Sequence, residues 1–469
     1  MSYFSSLLHE GLKRFDSGIT GISREITAKE QSHNYTDHFI NAKELLNKNN
    51  TGFSPDGTNW LPIKTANFLC CGNSGVGKSS IVSAMSLWRR KESFVVTDPS
   101  GELYELLTFM LLKAGYKVKV INWSKPDISC GYNSLGHIKS VNEIHIQAHQ
   151  IVQASLGKGT GDAFWSFQSE SLITFFAEVL YYNGDPQYFN WINVLHLIEL
   201  LTANPSFIDG LVINTNSPQL INRYKNILAM DNKLKMNIIA SALSCLTIFN
   251  DPNVQRICSY DTLDFSNMRA EPTAIFIQSD VLNMSYYSML NSMLITDIIS
   301  SLMSELPMPS DKYRVLFLLD EFSSLYINNI DTIISNVRKY HISLGILIQS
   351  YSQLYSRYGE HVAKTIINNC AARMYFHSQT DATTLHNLEQ ELGKYSYTID
   401  GKTMNRELKT MSEIRKMDAG KAILLYTNFD PVLLSLKPYY DQPLVMHELN
   451  KPVPELFDEL PDEIPLIGM

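Results

Sequence analysis

The sequence predicts an α/β protein in which a parallel sheet with crossover helices is interrupted by an all-α insertion. Strand and helix patterns alternate over 66–141 and return after residue 260. Between 142 and 259 the apolar residues follow helical spacing, and almost no strand pattern is found. A glycine-rich loop, Gly72–Ser79, joins the first apolar strand to a helix. Together these observations favour a phosphate-binding-loop (P-loop) NTPase sheet with an inserted all-α domain.

Length and composition describe a large globular protein. The 469 residues suffice for about three domains. No apolar run reaches the ~18 residues of a membrane helix, and the N-terminus lacks the pattern of a signal peptide. The six cysteines show no C-x-x-C spacing, which fits a reducing compartment. We therefore expect a protein that is cytoplasmic or peripheral at the inner face of the membrane.

The chain divides into five segments by composition and pattern. The insertion splits the nucleotide-binding domain into two parts. In chain order the segments are an N-terminal adaptor (1–65), a first nucleotide-binding part (66–141), the all-α insertion domain (142–259), a second nucleotide-binding part (260–448) and an acidic, proline-containing tail (449–469). The adaptor is polar and rich in turns, with one or two helices expected near 36–46. The stretch 455–463 holds five acidic residues and no basic one. We predict a solvated tail, with a docking peptide as the alternative.

The loop Gly72–Ser79 has the form G-x-x-x-x-G-K-[ST], in which glycines let backbone N–H groups and a helix N-terminus face phosphate oxygens. The apolar run 67–71 before it and the helical pattern after it supply the context that the motif requires. Lys78 is expected to reach the β- and γ-phosphates, and the Ser79 hydroxyl to bind Mg²⁺. The alternative is an accidental turn, which should occur in roughly 1% of chains this long. The predicted nucleotide-binding residues are Asn73, Ser74, Gly75, Val76, Gly77, Lys78, Ser79 and Ser80.

Two further patterns look like sites but are better explained by helices. Gly157–Asp162 is superficially a second phosphate loop, yet no strand precedes it, so we predict a turn that connects helices. His145 and His149 are spaced for one helix face, and no third ligand candidate lies nearby in the sequence. We therefore predict no metal site there.

Acidic and amide side chains follow two strongly apolar segments. Asp320 and Glu321 come directly after 314–319, which is predicted to be a central strand buried on both faces, and Gln349 ends the strand 343–348. Ligands of α/β sheets bind outside the carboxyl ends of the strands. Asp320 is expected to hold Mg²⁺ opposite Ser79, and Glu321 to orient or deprotonate the attacking water. Gln349 is a candidate γ-phosphate sensor. The alternatives are a plain surface turn for the acidic pair and a strand-end hydrogen bond for Gln349.

Several of these stretches occur together in one order. They are the loop 72–79, the stretch 95–104 with Asp98-Pro99-Ser100-Gly101-Glu102, the helical insertion, Leu319-Asp320-Glu321-Phe322, Arg338-Lys339-Tyr340, Gln349-Ser350-Tyr351-Ser352-Gln353-Leu354 and Tyr358-Gly359. The set resembles the TraG/TraD-type coupling ATPases of conjugation and type IV secretion. The resemblance covers residues 60–440, and its Gln-Ser-x-x-Gln-Leu element is fairly specific.

The resemblance implies a RecA-like motor domain that carries an all-α domain and assembles as a hexameric ring. It implies ATP and Mg²⁺ as cofactors, and delivery of DNA or protein substrates into a secretion channel as the activity. Arg338 ends the helix after Asp320 and should lie on the sheet edge opposite Gln349. The resemblance suggests that Arg338 contacts the nucleotide of a neighbouring subunit as an arginine finger. The alternative is a cation at a helix C-terminus.

Two features depart from that family. Members usually carry N-terminal transmembrane helices, and none is found in this sequence, so either a separate membrane subunit recruits the chain or it belongs to a soluble branch with another partner. Ser100 stands where many relatives have Lys. Serine carries no charge, so this chain lacks whatever charged contact that Lys makes.

The sequence leaves the substrate open. One hypothesis is a motor that moves DNA or nucleoprotein to the channel, and another is an ATPase ring that recruits protein cargo without moving DNA. The net charge of −8 argues mildly against a nucleic-acid-coated surface, but it is compatible with a ring whose basic groups line only a channel. A chromosomal motor of the FtsK/HerA kind is disfavoured by the Gln-Ser-x-x-Gln-Leu element and the early helical insertion.

Overall fold

The computed structural model describes residues 39–48, 52–61, 66–88, 90–156, 163–399, 402–449, 451–454 and 460–468. The main sheet is formed by β1 (Asn67–Cys71), β2 (Ser93–Thr97), β3 (Lys117–Asn122), β4 (Thr273–Gln278), β5 (Val315–Leu319), β6 (Ile342–Ile348), β7 (Cys370–Phe376), β10 (Lys421–Tyr426) and β11 (Val432–Ser435). A separate hairpin consists of β8 (Lys394–Ile399) and β9 (Lys402–Glu407).

The helices fall into two groups. Those of the sheet domain are α1 (Ala42–Leu45), a π-helical segment (Lys78–Ser83) that continues as α2 (Ala84–Leu87), α3 (Glu102–Lys113), α11 (Met284–Met303), α12 (Ile330–Asn336), α13 (Tyr351–Tyr358), α14 (Glu360–Asn368), α15 (Ala382–Leu392), α16 (Met411–Arg415) and α17 (Pro443–Leu449). Those between β3 and β4 are α4 (Val141–Leu156), α5 (Ala163–Asn183), α6 (Trp191–Ala203), α7 (Pro205–Asn214), α8 (Pro218–Ala229), α9 (Asn232–Cys245) and α10 (Pro252–Cys258).

The sheet has nine strands in the order β11-β10-β7-β1-β6-β5-β2-β4-β3. The strands from β7 to β3 pair in parallel, which confirms the predicted α/β class. The prediction of a parallel sheet is wrong at one edge, because β10 runs antiparallel to β7 and β11 antiparallel to β10. An antiparallel edge on a parallel sheet is common, since the last strand can return along the edge without a crossover helix.

Helices and loops cover both faces of the sheet. Along β1, Leu69 and Cys71 join the core on one face, while Phe68 and Cys70 join the core on the other. This alternation follows from the two-residue period of a strand. All five residues of β5 are buried, so the prediction of a central strand buried on both faces is confirmed.

The described part of the N-terminal segment packs onto the sheet domain. Within the described residues near the predicted helical region, one short helix, α1, forms. Phe53 stacks on Phe68 of β1 with ring centroids 4.2 Å apart, and the Trp60 indole N–H donates to the Met85 carbonyl at 3.0 Å. Residues 52–61 therefore contribute side chains to the core beneath the phosphate loop.

The helical insertion leaves and rejoins the sheet domain through neighbouring segments. Tyr132 N–H donates to the Ile257 carbonyl at 2.9 Å, and Leu263 N–H donates to the Gly131 carbonyl at 3.1 Å. Among the described residues between β3 and β4 every regular element is helical. The turn predicted at 157–162 lies outside the described residues.

The two histidines of α4 each contact a glutamate of α5. His145 lies 3.0 Å from Glu178, and His149 lies 2.8 Å from Glu170. No group of three or more His, Cys, Asp or Glu side chains that could hold a metal ion occurs in the part of the chain that the structure describes. No helix within the described ranges is long and apolar enough to cross a membrane.

Residues 461–463 are exposed, as the prediction of a solvated tail requires, but that prediction is wrong for Leu460 and Ile467. Leu460 is 3% and Ile467 is 9% exposed. The buried Asn193 side chain of α6 donates to the Pro465 carbonyl at 2.9 Å and accepts from Ile467 N–H at 2.8 Å. Arg256 of α10 donates to the Leu460 carbonyl at 2.7 Å. The tail therefore docks on the helical insertion through its backbone and apolar residues.

A buried carboxyl group joins α11 to the segment that enters the insertion. The Tyr132 hydroxyl donates to Asp297 Oδ2 at 2.5 Å, and Gln147 Nε2 donates to Asp297 Oδ1 at 3.2 Å. Burial raises the pKa of Asp297 to about 7, although the two hydrogen bonds and His137 oppose this. Folding therefore shifts the Asp297 carboxyl group toward its protonated form.

This pKa predicts a pH dependence of stability. A carboxyl group whose pKa is raised on folding stabilises the fold at low pH, and this contribution is lost as the pH rises from about 4 to about 7. Asp297→Asn should remove that loss and stabilise the chain at pH 7.5 by on the order of 2–4 kcal/mol relative to wild type. Denaturant unfolding at pH 4.5 and 7.5 tests this, with the exposed Asp430→Asn as control. Parallel pH profiles for wild type and Asp297→Asn would contradict it.

Candidate nucleotide-binding site

The predicted site residues, with one exception, meet at the carboxyl edge of the sheet. The loop after β1 lies beside the end of β6, because Cys71 is in register with Ile348 and Gly72 N–H donates to the Ile348 carbonyl at 3.1 Å. Next to β6 lies β5, and Asp320 directly follows its last residue. One strand, β6, therefore separates the loop from the acidic pair.

The loop conformation depends on glycine. Gly77 has a φ of +97°, and a Cβ there would lie 2.5 Å from Ile81 Cδ1. At Gly72 a Cβ would lie 2.8 Å from Phe376 Cβ of β7. A side chain at either position would therefore push the loop away from the elements that support it.

Lys78 lies over the start of its own loop. Its ammonium group donates to the Gly72 carbonyl at 2.6 Å and to the Asn73 carbonyl at 3.1 Å, and the residue is 8% exposed. An ammonium group has three N–H donors, so one remains for a phosphate oxygen. The helix that begins at Lys78 adds backbone N–H donors on the same side.

Ser79 and Asp320 form a pair of oxygen donors. Ser79 Oγ donates to Asp320 Oδ2 at 3.0 Å. Burial raises the pKa of Asp320, while Lys78 and the Ser79 hydrogen bond oppose the increase. A half-buried carboxylate beside a hydroxyl is well suited to a small divalent cation, because Mg²⁺ prefers oxygen ligands. The residues present therefore fit Mg²⁺.

Glu321 has an unusual backbone conformation. Its φ of +48° lies in the left-handed region, which costs energy for a non-glycine residue. Its N–H donates to Asp320 Oδ1 at 2.9 Å, and its carboxylate accepts from Gln349 Nε2 at 2.8 Å. The turn thus directs Glu321 toward the end of β6 and brings the two predicted residues into contact.

Two supporting residues were missed from the sequence. Thr97 Oγ1 at the end of β2 accepts from Asp320 N–H at 2.6 Å and donates to the Asp320 carbonyl at 3.1 Å. Gln379 is fully buried and donates to the Gln349 carbonyl at 3.2 Å. Both follow the rule that polar residues at the carboxyl ends of strands line the site, since they come at or just after the ends of β2 and β7.

The Asp-Pro-Ser-Gly-Glu stretch forms the turn from β2 into α3. Asp98 accepts from the N–H groups of Leu103 at 3.2 Å and Tyr104 at 2.8 Å. Burial raises the pKa of Asp98 to about 6, against the effect of these hydrogen bonds. Ser100 is exposed at this turn.

Arg338 is the predicted site residue that the structure does not bring to this edge. It is exposed in a 3₁₀ turn, Val337–Tyr340, between α12 and β6. This turn lies at the amino ends of the strands, where the His341 carbonyl accepts from Val315 N–H at 3.0 Å. Arg338 therefore lies on the opposite edge of the sheet from Asp320 and Gln349, as its sequence position predicts.

The fold and site define a P-loop nucleotide-binding protein of the RecA-like α/β class with a helical insertion. Residues 25–459 match the model of the family described as type IV secretory system conjugative DNA transfer. The chain belongs to this family.

Similar proteins agree with this membership. The chain is 24% identical over 180 residues to protein VirD4 of Rhizobium rhizogenes, covering 38% of this chain and 27% of VirD4. It is 22% identical over 354 residues to a probable conjugal transfer protein TraG of Sinorhizobium fredii, covering 73% of this chain and 54% of TraG. These matches thus span about a quarter of the length of that VirD4 and about half the length of that TraG.

Solved structures share the fold. The conjugative coupling protein TrwB, solved as a truncated chain with sulphate, superposes with a TM-score of 0.67 at 18% identity over 85% of this chain and 93% of that chain. TrwB with ADP and Mg²⁺ gives a TM-score of 0.67 at 18% identity over 86% of this chain and 93% of that chain.

Proposed function

We propose that this chain is an ATP-hydrolysing coupling protein that recruits DNA or nucleoprotein and translocates it to a type IV secretion or conjugation channel. The observation that carries the proposal is the meeting of Lys78, Ser79, Asp320, Glu321 and Gln349 at one edge of the sheet in a member of this family. The partners are further copies of the chain, the DNA or nucleoprotein substrate, and channel components or a separate membrane subunit. The chain acts from the cytoplasm, at or near the inner face of the membrane.

The site supplies groups for Mg²⁺ and ATP. Lys78 and the N–H groups of the loop bind the phosphates, and Ser79 and Asp320 hold the metal. A Mg²⁺ ion bound there would neutralise the charge that develops on the phosphate oxygens. The occurrence of ADP and Mg²⁺ in TrwB, which shares the fold, supports this assignment.

Glu321 and Gln349 are the groups that act on the attacking water. The Glu321 carboxylate orients the water and accepts its proton, and the Gln349 amide presents N–H to the γ-phosphate or the water. Their 2.8 Å contact supports a joint role. The alternative for Gln349, a plain strand-end hydrogen bond, is not favoured because its side chain contacts Glu321.

Arg338 acts on a neighbouring subunit in a hexameric ring. Its position on the amino edge of the sheet separates it from the site of its own chain, and its exposure leaves it available to another. An arginine finger supplied in trans stabilises charge in the transition state.

Arg338→Ala should leave ATP affinity nearly intact and reduce turnover at least about tenfold. Lys339→Ala, in the same turn, is the matched control and should change turnover little. Mixing Arg338→Ala with Lys78→Ala subunits should restore some activity, because a mixed interface pairs an intact loop with an intact arginine. Steady-state ATPase assays measure both effects. Full activity of Arg338→Ala, or no recovery although mixed rings form, would exclude the role in trans.

The alternative function is an ATPase ring that recruits protein cargo without moving DNA, and the net charge of −8 favours it. DNA-dependent ATP turnover distinguishes the two. A DNA motor should hydrolyse ATP faster when DNA is added at low salt, and this stimulation should fade as salt rises, because binding releases counterions. Turnover that is indifferent to DNA at every salt concentration would favour the cargo platform.

A further inference from the structure

Four side chains at the carboxyl edge form a ring of hydrogen-bonding contacts, in which the single proton of Ser323 faces two acceptor oxygens. Gln349 Nε2 donates to Glu321 Oε2 at 2.8 Å, and Gln353 Nε2 donates to Gln349 Oε1 at 3.5 Å. Ser323 Oγ lies 3.4 Å from Gln353 Oε1 and 3.2 Å from Glu321 Oε1. The contacts thus run from Glu321 Oε2 through Gln349, Gln353 and Ser323 to Glu321 Oε1.

The chemistry of the carboxylate fixes the direction of every amide in the ring. An ionised carboxylate only accepts hydrogen bonds, so Gln349 must turn its NH₂ group toward Glu321. Its carbonyl oxygen then faces Gln353, which must present its own NH₂ group. The Gln353 carbonyl oxygen consequently faces the hydroxyl of Ser323, whose one proton is shared between that oxygen and Glu321.

Local backbone structure brings the four residues together. Ser350 caps α13, where its Oγ accepts from Gln353 N–H at 3.3 Å, so Gln353 lies in the first turn of the helix that follows Gln349. The left-handed conformation of Glu321 leads into a 3₁₀ turn, Phe322–Ser324, that contains Ser323. The Gln-Ser-x-x-Gln spacing therefore places one amide at the strand end and the second beside it.

Packing does not account for Gln353. Its side chain is exposed on α13, whereas Tyr351, Leu354 and Tyr358 supply the buried face of that helix. An exposed helical position tolerates most polar and unbranched residues at little cost in stability. A selective effect of Gln353 on turnover would thus come from its contact with Gln349.

We infer that Gln353 and Ser323 are positioning residues for ATP hydrolysis: Gln353 fixes the amide of Gln349, and Ser323 holds the second oxygen of Glu321. This inference rests on the proposed hydrolytic function of the site. With the amide fixed, one N–H of Gln349 binds Glu321 and the other is free for a phosphate oxygen or water. If the Gln349 amide were reversed, its carbonyl oxygen would face the Glu321 carboxylate, and the two acceptors would repel each other and turn Glu321 away.

Gln353→Glu and Gln353→Met separate this role from packing. Glutamate has the size of glutamine but presents only acceptors to Gln349, so it should reverse the amide and lower kcat by on the order of 10–100-fold. Methionine removes the donor without repulsion and should give a smaller loss. The dissociation constant for ATP and the thermal unfolding midpoint should change little in both. Ser356→Ala, at an exposed position on the same helix, is the matched control.

The Ser323 variants provide an independent readout. Ser323→Ala should lower kcat, and Ser323→Thr, which keeps the hydroxyl, should restore most of it. If the wild-type chain hydrolyses ATP and the Gln353→Glu variant has the same kcat, this inference is overturned while the proposed function stands. Equal losses in kcat, ATP affinity and unfolding midpoint would also overturn it, in favour of a structural role. A wild-type chain without ATP turnover, assayed with and without DNA, would overturn the proposed function and the inference with it.

Discussion

Lys78→Ala is expected to abolish productive ATP binding. The substitution removes the one buried ammonium group in the loop, which is held over the Gly72 and Asn73 carbonyls. A charge-assisted hydrogen bond to phosphate contributes about 1.5–3 kcal/mol, so affinity should fall at least about tenfold. Turnover should fall below detection, because no other side chain of the loop can neutralise the β- and γ-phosphates.

Titration with a fluorescent ATP analogue, followed by a steady-state ATPase assay, measures this effect. Lys113→Ala, at the exposed end of α3, is the control and should bind and hydrolyse ATP as wild type does. Circular dichroism should show an unchanged fold for Lys78→Ala. Normal ATP affinity and turnover in a folded Lys78→Ala chain would mean that the loop 72–79 is not the nucleotide site.

Glu321→Gln should separate binding from hydrolysis. The amide keeps the size of the side chain and can offer its oxygen to Gln349 and its NH₂ group to Ser323, so the ring of hydrogen bonds can persist. The variant lacks the carboxylate that accepts the proton of water, and general-base catalysis typically contributes about 10²–10⁴ in rate. ATP should therefore bind normally and remain intact.

Single-turnover hydrolysis of bound ATP tests this directly. Wild-type protein should convert bound ATP to ADP, while Glu321→Gln should retain ATP over the same period. Glu305→Gln, at an exposed position after α11, controls for the loss of an acidic charge. Hydrolysis by Glu321→Gln at the wild-type rate would assign the base to another residue.

Much of the sheet domain could be predicted because its strands are nearly continuous apolar runs. The segments around β1, β2, β5 and β6 need burial on both faces, and their polar exits at Asp320 and Gln349 follow from the direction of the strands. The opposite placement of Arg338 follows in the same way. These inferences depend only on the periodicity of a strand and the handedness of its crossovers.

The remaining features depend on contacts between distant residues. The tail was predicted to be solvated from its charge, but Asn193, far away in sequence, binds the backbone around Pro465, and Asp462 remains 92% exposed at the side chain. The hairpin β8–β9 was missed although Tyr395, Tyr397 and Ile399 alternate with polar residues in β8 and an Asp-Gly pair follows in the sequence; only β9 lacks such alternation. Sequence composition does not encode a backbone clamp of the Asn193 kind.

The site shows the same limit. Glu321 and Gln349 could be predicted from the sequence, but the ring that includes Ser323 and Gln353 depends on the left-handed φ of Glu321. A non-glycine residue in that region cannot be anticipated from residue type, since its cost is met by surrounding contacts. The supporting roles of Thr97 and Gln379 likewise appear only when the strand order is known.

The central claim, that ATP hydrolysis at the loop 72–79 moves DNA, is tested most directly by a triplex-displacement assay. A DNA duplex carrying a third strand is incubated with the protein under conditions where DNA stimulates its ATPase. Wild-type protein should displace the third strand with ATP, but not with a non-hydrolysable analogue, and Glu321→Gln should not displace it with either. Vigorous DNA-stimulated hydrolysis by wild-type protein with no displacement of the third strand would contradict the account.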